Sequence, residues 1–160
     1  MNKLESLYDL AHKEGIIIET IDFNKSDILG VYYKEQGLPP IIGIHTGIDD
    51  YSTHKCILAE ELGHHYTSNG DITRAKDIRH LKQEKIARRW SYKKLVNLRD
   101  IIAAFNSGAR NRYEMAEYLR VTENFLEEAL SNYREKYGVS CEVDGYIIYF
   151  EPNLGVLKRF

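Results

Sequence analysis

A chain of 160 residues with 22 Lys and Arg against 24 Asp and Glu, net charge -2, has neither the basic balance of a nucleic-acid coat nor the make-up of a disordered tail. It is long enough to bury about 70% of its unfolded surface without a covalent staple, and its two cysteines, Cys56 and Cys141, stand in no C-x-x-C spacing and are expected to be reduced, partly buried thiols. No apolar run is long enough to span a bilayer and the opening segment reads as an amphipathic helix, not a signal peptide, so a cytoplasmic protein is expected.

In chain order, Leu4, Leu7, Tyr8 and Ala11 form a helical stripe that Gly15 stops, and the β-branched run 16–23 then predicts a strand. Two short strands follow at 30–33 and 41–44, separated by Gly37-Leu38-Pro39-Pro40, where the prolines exclude helix and central ladder. Asp49, Asp50 and Ser52 are candidate caps for a helix over 53–66, with a turn expected at Asn69-Gly70 and a polar connector to about His80. A long helix is predicted over 81–98, continued or followed by 100–105 and interrupted at Ser107-Gly108. Helices at 112–119 and 123–137 come next, the second stopped by Gly138, and a hairpin turning at Asp144-Gly145 closes the chain. No internal repeat or low-complexity segment is present.

Within the helix predicted over 53–66, residues 59–66 read Ala-Glu-Glu-Leu-Gly-His-His-Tyr, the metallopeptidase pattern H-E-x-x-H with its first histidine replaced by Glu60. Positions i and i+4 share a helix face, so Glu60 and His64 can grip one cation while Glu61, one step round, reaches the water bound to it. At about 100° per residue, Ile57, Glu60, Glu61 and His64 fall in one arc, Leu58, Leu62 and His65 in the next, and Cys56, Ala59 and Gly63 opposite. With no broad charged side left over, this helix is expected to be packed nearly all round, its polar groups lining a cleft. Unpaired burial of such groups costs several kcal/mol, which a divalent cation offsets. A solvated glutamate pair beside hydrogen-bonded histidines is the structural alternative.

A third donor stands on the next helix, where Glu84 shares an arc with Ala87, Ser91, Leu95 and Leu98 while Lys82, Lys85, Arg89 and Lys93 lie farther round. An antiparallel packing would set Glu84 against His64. Three protein ligands and an open water position meet the needs of metal-assisted hydrolysis, with Glu61 as the general base.

These residues resemble the ImmA/IrrE family of bacterial and phage metallopeptidases, in which the H-E-x-x-H helix is followed by a helix carrying an E-x-x-A glutamate, matched here by Glu84-Lys85-Ile86-Ala87. The Pro40-Ile41-Ile42-Gly43-Ile44 stretch resembles the family's strand entering the site. The resemblance covers about residues 1–105 well and the helices after it more loosely. It implies an α+β, zincin-like metallopeptidase domain over 1–105, with a helix-turn-helix-like pair and hairpin over 106–160 packed on it as one unit. It also implies Glu61 as general base, His64 and Glu84 as metal ligands with Glu60 in the remaining ligand position, and cleavage of helix-turn-helix repressors of phages or mobile elements. Two carboxylates and one imidazole make a harder, more negative site than two histidines, so the bound water should have a higher pKa and hydrolysis should be slower. Zinc is the first expectation, with manganese or iron(II) as alternatives, and His65, His54 or His80 are alternative nitrogen donors.

In the last helical pair, Ala116, Leu119, Val121, Thr122 and Leu126 are spaced as in a helix-turn-helix. Its second helix carries Glu123, Glu127, Glu128 and Glu135 against Arg134 and Lys136, which would repel phosphates, so a packing or partner-binding role is expected in place of DNA binding. The basic run Arg74, Lys76, Arg79, Lys82, Lys85, Arg88, Arg89, Lys93 and Lys94 reads as a solvated face or a dock for an acidic protein segment. Twelve tyrosines offer donors for an oxyanion, but none can be nominated; Tyr66 is expected to be a core residue with a polar tip.

Overall fold

The computed structural model describes residues 2–24, 27–68 and 78–160, with the side chains of the last stretch from 81 onward. It divides into two compact units, Met1–Ser91 and Tyr92–Phe160. In the first, helix α1 (Lys3–Lys13) starts at a capping box in which the Asn2 side chain accepts from the Glu5 amide and the Glu5 carboxylate accepts from the Asn2 amide. It buries Leu7 and Ala11 and ends where Gly15 takes φ +69°, a conformation that costs glycine little.

Strands β1 (Ile17–Ile21), β2 (Gly30–Tyr33) and β3 (Ile41–His45) form a sheet in the order β1-β3-β2. β3 runs parallel to β1 and antiparallel to β2. The central strand carries the burial, Ile42, Gly43 and Ile44, while β1 is largely exposed. Gly43 is small for a reason: a Cβ there would lie 2.5 Å from Ile21 Cδ1 and 3.0 Å from Val31 Cγ2.

Helix α2 (Tyr51–Thr67) begins at Asp50, whose carboxylate accepts from the Thr53 amide at 2.6 Å, selecting one of the three candidate caps. It packs on β2, β3 and α1 and buries Lys55, Cys56, Leu58, Ala59, Glu61, Leu62 and Gly63. That spread round the helix is the all-sided packing its sequence predicts. The expected turn at Asn69-Gly70, the connector beyond it and the side chain of His80 lie outside the described residues, as do Arg74, Lys76 and the side chain of Arg79.

Helix α3 (Ile78–Leu95) carries the division between the units. It stops three residues short of the predicted end, because Asn97 caps a separate helix α4 (Leu98–Asn106) in a second capping box with Asp100. Helix α5 (Arg112–Leu119) ends at Arg120 in the left-handed region. Thr122 then caps α6 (Glu123–Tyr137), its hydroxyl accepting from the Phe125 amide. α5 packs against α6, with Ala116, Leu119, Val121 and Leu126 of the anticipated pattern buried, and Tyr133 donates to the Val96 carbonyl at 2.6 Å.

The chain closes with more than the predicted hairpin. Strands β4 (Ser140–Val143) and β5 (Tyr146–Tyr149) turn at Asp144 and Gly145, both at positive φ, as a two-residue turn of this hand requires. A third strand, β6 (Gly155–Lys158), adds antiparallel to β5. Its four residues carry one buried apolar side chain, Val156, too short a pattern to read as a strand from sequence. Neither cysteine forms a disulfide, Cys56 being buried and Cys141 half-buried, and no described helix is long and apolar enough to cross a membrane.

Candidate active site

The site begins at the contact between α2 and α3. A Cβ at Gly63 would lie 2.3 Å from the Ala87 carbonyl oxygen, so only glycine lets the two backbones approach this closely. One residue beyond Gly63 stands His64, and one turn before Ala87 stands Glu84. Their side chains meet, His64 Nε2 to Glu84 Oε1 at 3.2 Å. Ala87, Ser91 and Leu95 are buried as expected of Glu84's arc, but the Glu84 side chain itself keeps about a third of its surface exposed. The difference from the expected buried carboxylate follows from its place near the start of α3, at the rim of the packed face.

Beside this pair stands Glu61, near enough for its charge to act on His64. A Cβ at Gly30 would lie 2.8 Å from Glu61 Oε1 and 2.5 Å from Ile57 Cγ2, so the carboxylate is seated directly beneath the β2 backbone, only 9% exposed. Burial pushes its pKa from 4.5 up to about 7; the charge of His64 opposes the rise, and Glu60 and Glu84 add to it. His64 is pulled down by burial, but its hydrogen bond to Glu84 and the charges of Glu84, Glu61 and Glu60 outweigh this and raise its pKa. A protonatable carboxyl with a pKa near neutrality is suited to taking and returning a proton.

The residues can be tested against a divalent cation. Two ligand atoms held about 2.05 Å from a tetrahedral ion stand about 3.3 Å apart, which matches the separation of His64 Nε2 and Glu84 Oε1. The other His64 nitrogen, Nδ1, is buried without a hydrogen-bond partner among the described residues. Imidazole nitrogen and carboxylate oxygen suit zinc, manganese or iron(II). Among the described residues, however, no three His, Cys, Asp or Glu side chains converge as a metal-binding group. The structure thus brings His64 and Glu84 together and leaves Glu60, half-buried one turn before His64, outside that pair.

Of the alternative nitrogen donors, His65 and His54 are engaged. His65 Nδ1 bonds the Tyr32 hydroxyl at 2.9 Å and its Nε2 faces Glu14 Oε2 at 3.3 Å. His54 Nε2 bonds the Tyr8 hydroxyl at 2.7 Å. Tyr66, expected in the core, is instead 38% exposed and stacks on the Trp90 ring of α3, the ring centres 5.0 Å apart. Sequence reasoning passed over Gly30 and Tyr32. The signal was a glycine opening a strand, which often marks close backbone approach, with an aromatic two residues on along the same face.

The fold and this site define a zincin-like α+β domain of metallopeptidase type. The model of the IrrE N-terminal-like domain, Peptidase M78, matches residues 11–131, and the chain belongs to that family. No curated protein and no solved structure matches it significantly.

Proposed function

We propose that the chain is a metal-dependent endopeptidase in which His64 and Glu84 hold the cation, Glu60 completes the set by rotating about its side-chain bonds, and Glu61 is the general base. The observation that carries this reading is the pairing of His64 with Glu84 at 3.2 Å beside the buried Glu61. A divalent cation bound there, zinc first, would acidify a water molecule and polarise the scissile carbonyl. Glu61 takes the proton and returns it to the leaving amine. Two carboxylates in the ligand set neutralise more of the cation's charge than two imidazoles would, which makes slow, selective cleavage the expected behaviour. The substrate class we infer from family membership is a helix-turn-helix repressor or similar intracellular regulator.

Elemental analysis of the untagged protein purified without chelator, beside Glu60→Ala and His64→Ala, tests the ligand set. Near one equivalent of metal in the wild type, lost in both variants, is expected. Loss of cleavage in Glu61→Gln with metal retained is expected of a general base, and unchanged cleavage would sink that role. The rival reading, a catalytically inactive member that binds a regulator in its groove, is favoured by the absence of a converged third donor among the described residues. It predicts a protein that cannot be loaded with metal and a biological effect untouched by Glu61→Gln.

A further inference from the structure

Among the described residues β2 is an edge strand, laddered only to β3, yet it forms the roof over Glu61. Side chains two apart on a strand share a face, and on β2 these are Gly30 and Tyr32. On α2 the matching row, at i and i+4 spacing, is Ile57, Glu61 and His65. Gly30 closes on Ile57 and Glu61 with no room for a Cβ, and Tyr32 donates its phenol to His65 Nδ1 at 2.9 Å, the rings meeting edge to face at 74°. His65 is itself oriented from behind. Its Nε2 donates to Glu14 Oε2 at 3.3 Å, and Glu14, just past the end of α1, also accepts from Tyr66 and is held below the usual carboxylate range first by the His65 and then by the Tyr66 hydrogen bond. With Nε2 as donor, Nδ1 is left as the acceptor the phenol requires.

We propose that Tyr32 is a positioning residue for Glu61. The chain Tyr32, His65, Glu14 clamps the edge strand to α2 one residue pair beyond the carboxylate, and so fixes the Gly30 backbone that seats it. The ladder to β3 holds β2 within the sheet but does not set its height over the helix; the phenol–imidazole bond does. The inference rests on Glu61 being the general base, but the clamp and the carboxylate's seat can be measured without any substrate.

The experiment uses the full chain labelled at glutamate carboxyl carbons, as wild type, Tyr32→Phe, Glu14→Gln and a control, Tyr8→Phe, which removes the other phenol–imidazole bond between α1 and α2. At one fixed pH, the Glu61 carboxyl resonance is expected to move in Tyr32→Phe and, by less, in Glu14→Gln, and to stay in place in Tyr8→Phe. Amide exchange in β2 is expected to quicken about tenfold in Tyr32→Phe, with α2 and the second unit unchanged. Where hydrolysis is measurable, kcat should fall roughly 10- to 100-fold with KM and metal content preserved. An unmoved Glu61 resonance in Tyr32→Phe, or exchange that quickens equally throughout the first unit, overturns the proposal. Absence of hydrolysis in the wild type would refute the proposed function alone, since resonance and exchange still decide the clamp.

Discussion

Helices α2 and α6 are the central helices of their units and are built on opposite plans. α6 buries Phe125, Leu126, Ala129, Leu130 and Tyr133 on one stripe and turns Glu123, Glu127 and Lys136 to water, the ordinary amphipathic solution. α2 buries residues on most of its circumference, among them Glu61 and Lys55. A stripe-faced helix is placed chiefly by burial, and its charged partners, such as Arg112 on Glu127, sit at its exposed side. An all-round buried helix has its charges chosen by particular neighbours: Gly30 above Glu61, Glu84 beside His64, and the Tyr51 ring under Lys55, whose ammonium lies 5.3 Å from the ring centre. The first arrangement concerns stability, and the second is where chemistry is placed.

The comparison breaks most sharply at Gly63. Gly63→Leu would drive a side chain into the α3 backbone, and a loss of about 4 kcal/mol or failure to fold is expected by urea denaturation. At Leu126, fully buried in α6, alanine should cost about 3 kcal/mol through cavity formation. Metal content and the Glu61 carboxyl resonance should stay as they are, because the change touches packing and no charge.

A third contrast is in pH. Glu61 holds its proton in the folded state between about 4.5 and about 7 while the unfolded chain has released it, so metal-free stability should fall as pH rises through that window, by roughly 3 kcal/mol. Glu61→Gln should flatten this profile and equal or exceed the wild type in stability at pH 8, while lowering hydrolysis at least about 100-fold. A profile unchanged by the substitution would show that Glu61 is not the buried acid. The smallest effect is expected at Thr122, where alanine removes the α6 cap and should cost about 1 kcal/mol with no pH dependence.

The helical part of the second unit was legible because each signal was local. Ala116, Val121 and Leu126 fall at the spacing of two helices joined by a turn, Thr122 is a preferred cap, and Gly138 a preferred stop. In the first unit, the β-branched runs and the proline turn gave the strands to within two residues, the largest difference being β1, which ends at Ile21 instead of Phe23. The pattern at 59–66 and the glutamate at 84 could be nominated because a shared helix face follows from spacing alone. The third strand of the last sheet, the position of the break between α3 and α4 and the exposure of Glu84 were not readable. Each depends on what covers a short segment, and a short segment carries too little periodicity to declare it.

The sequence by itself determined which residues can share a face: Glu60 with His64, Glu84 with Ala87, Leu126 with Leu130. It also determined the family, since the motif and its E-x-x-A partner are properties of linear order. Tertiary structure decided which faces meet. The Gly63 approach to Ala87 put His64 on Glu84, and the Gly30 approach seated Glu61 under β2 beside that pair. Tyr32 and Glu14, 18 positions apart in the sequence, became two ends of one hydrogen-bond chain through His65. Periodicity is fixed by bond geometry within a few residues, whereas the partner of a buried polar group depends on a close approach between distant backbones, which here hangs on the missing Cβ atoms of two glycines.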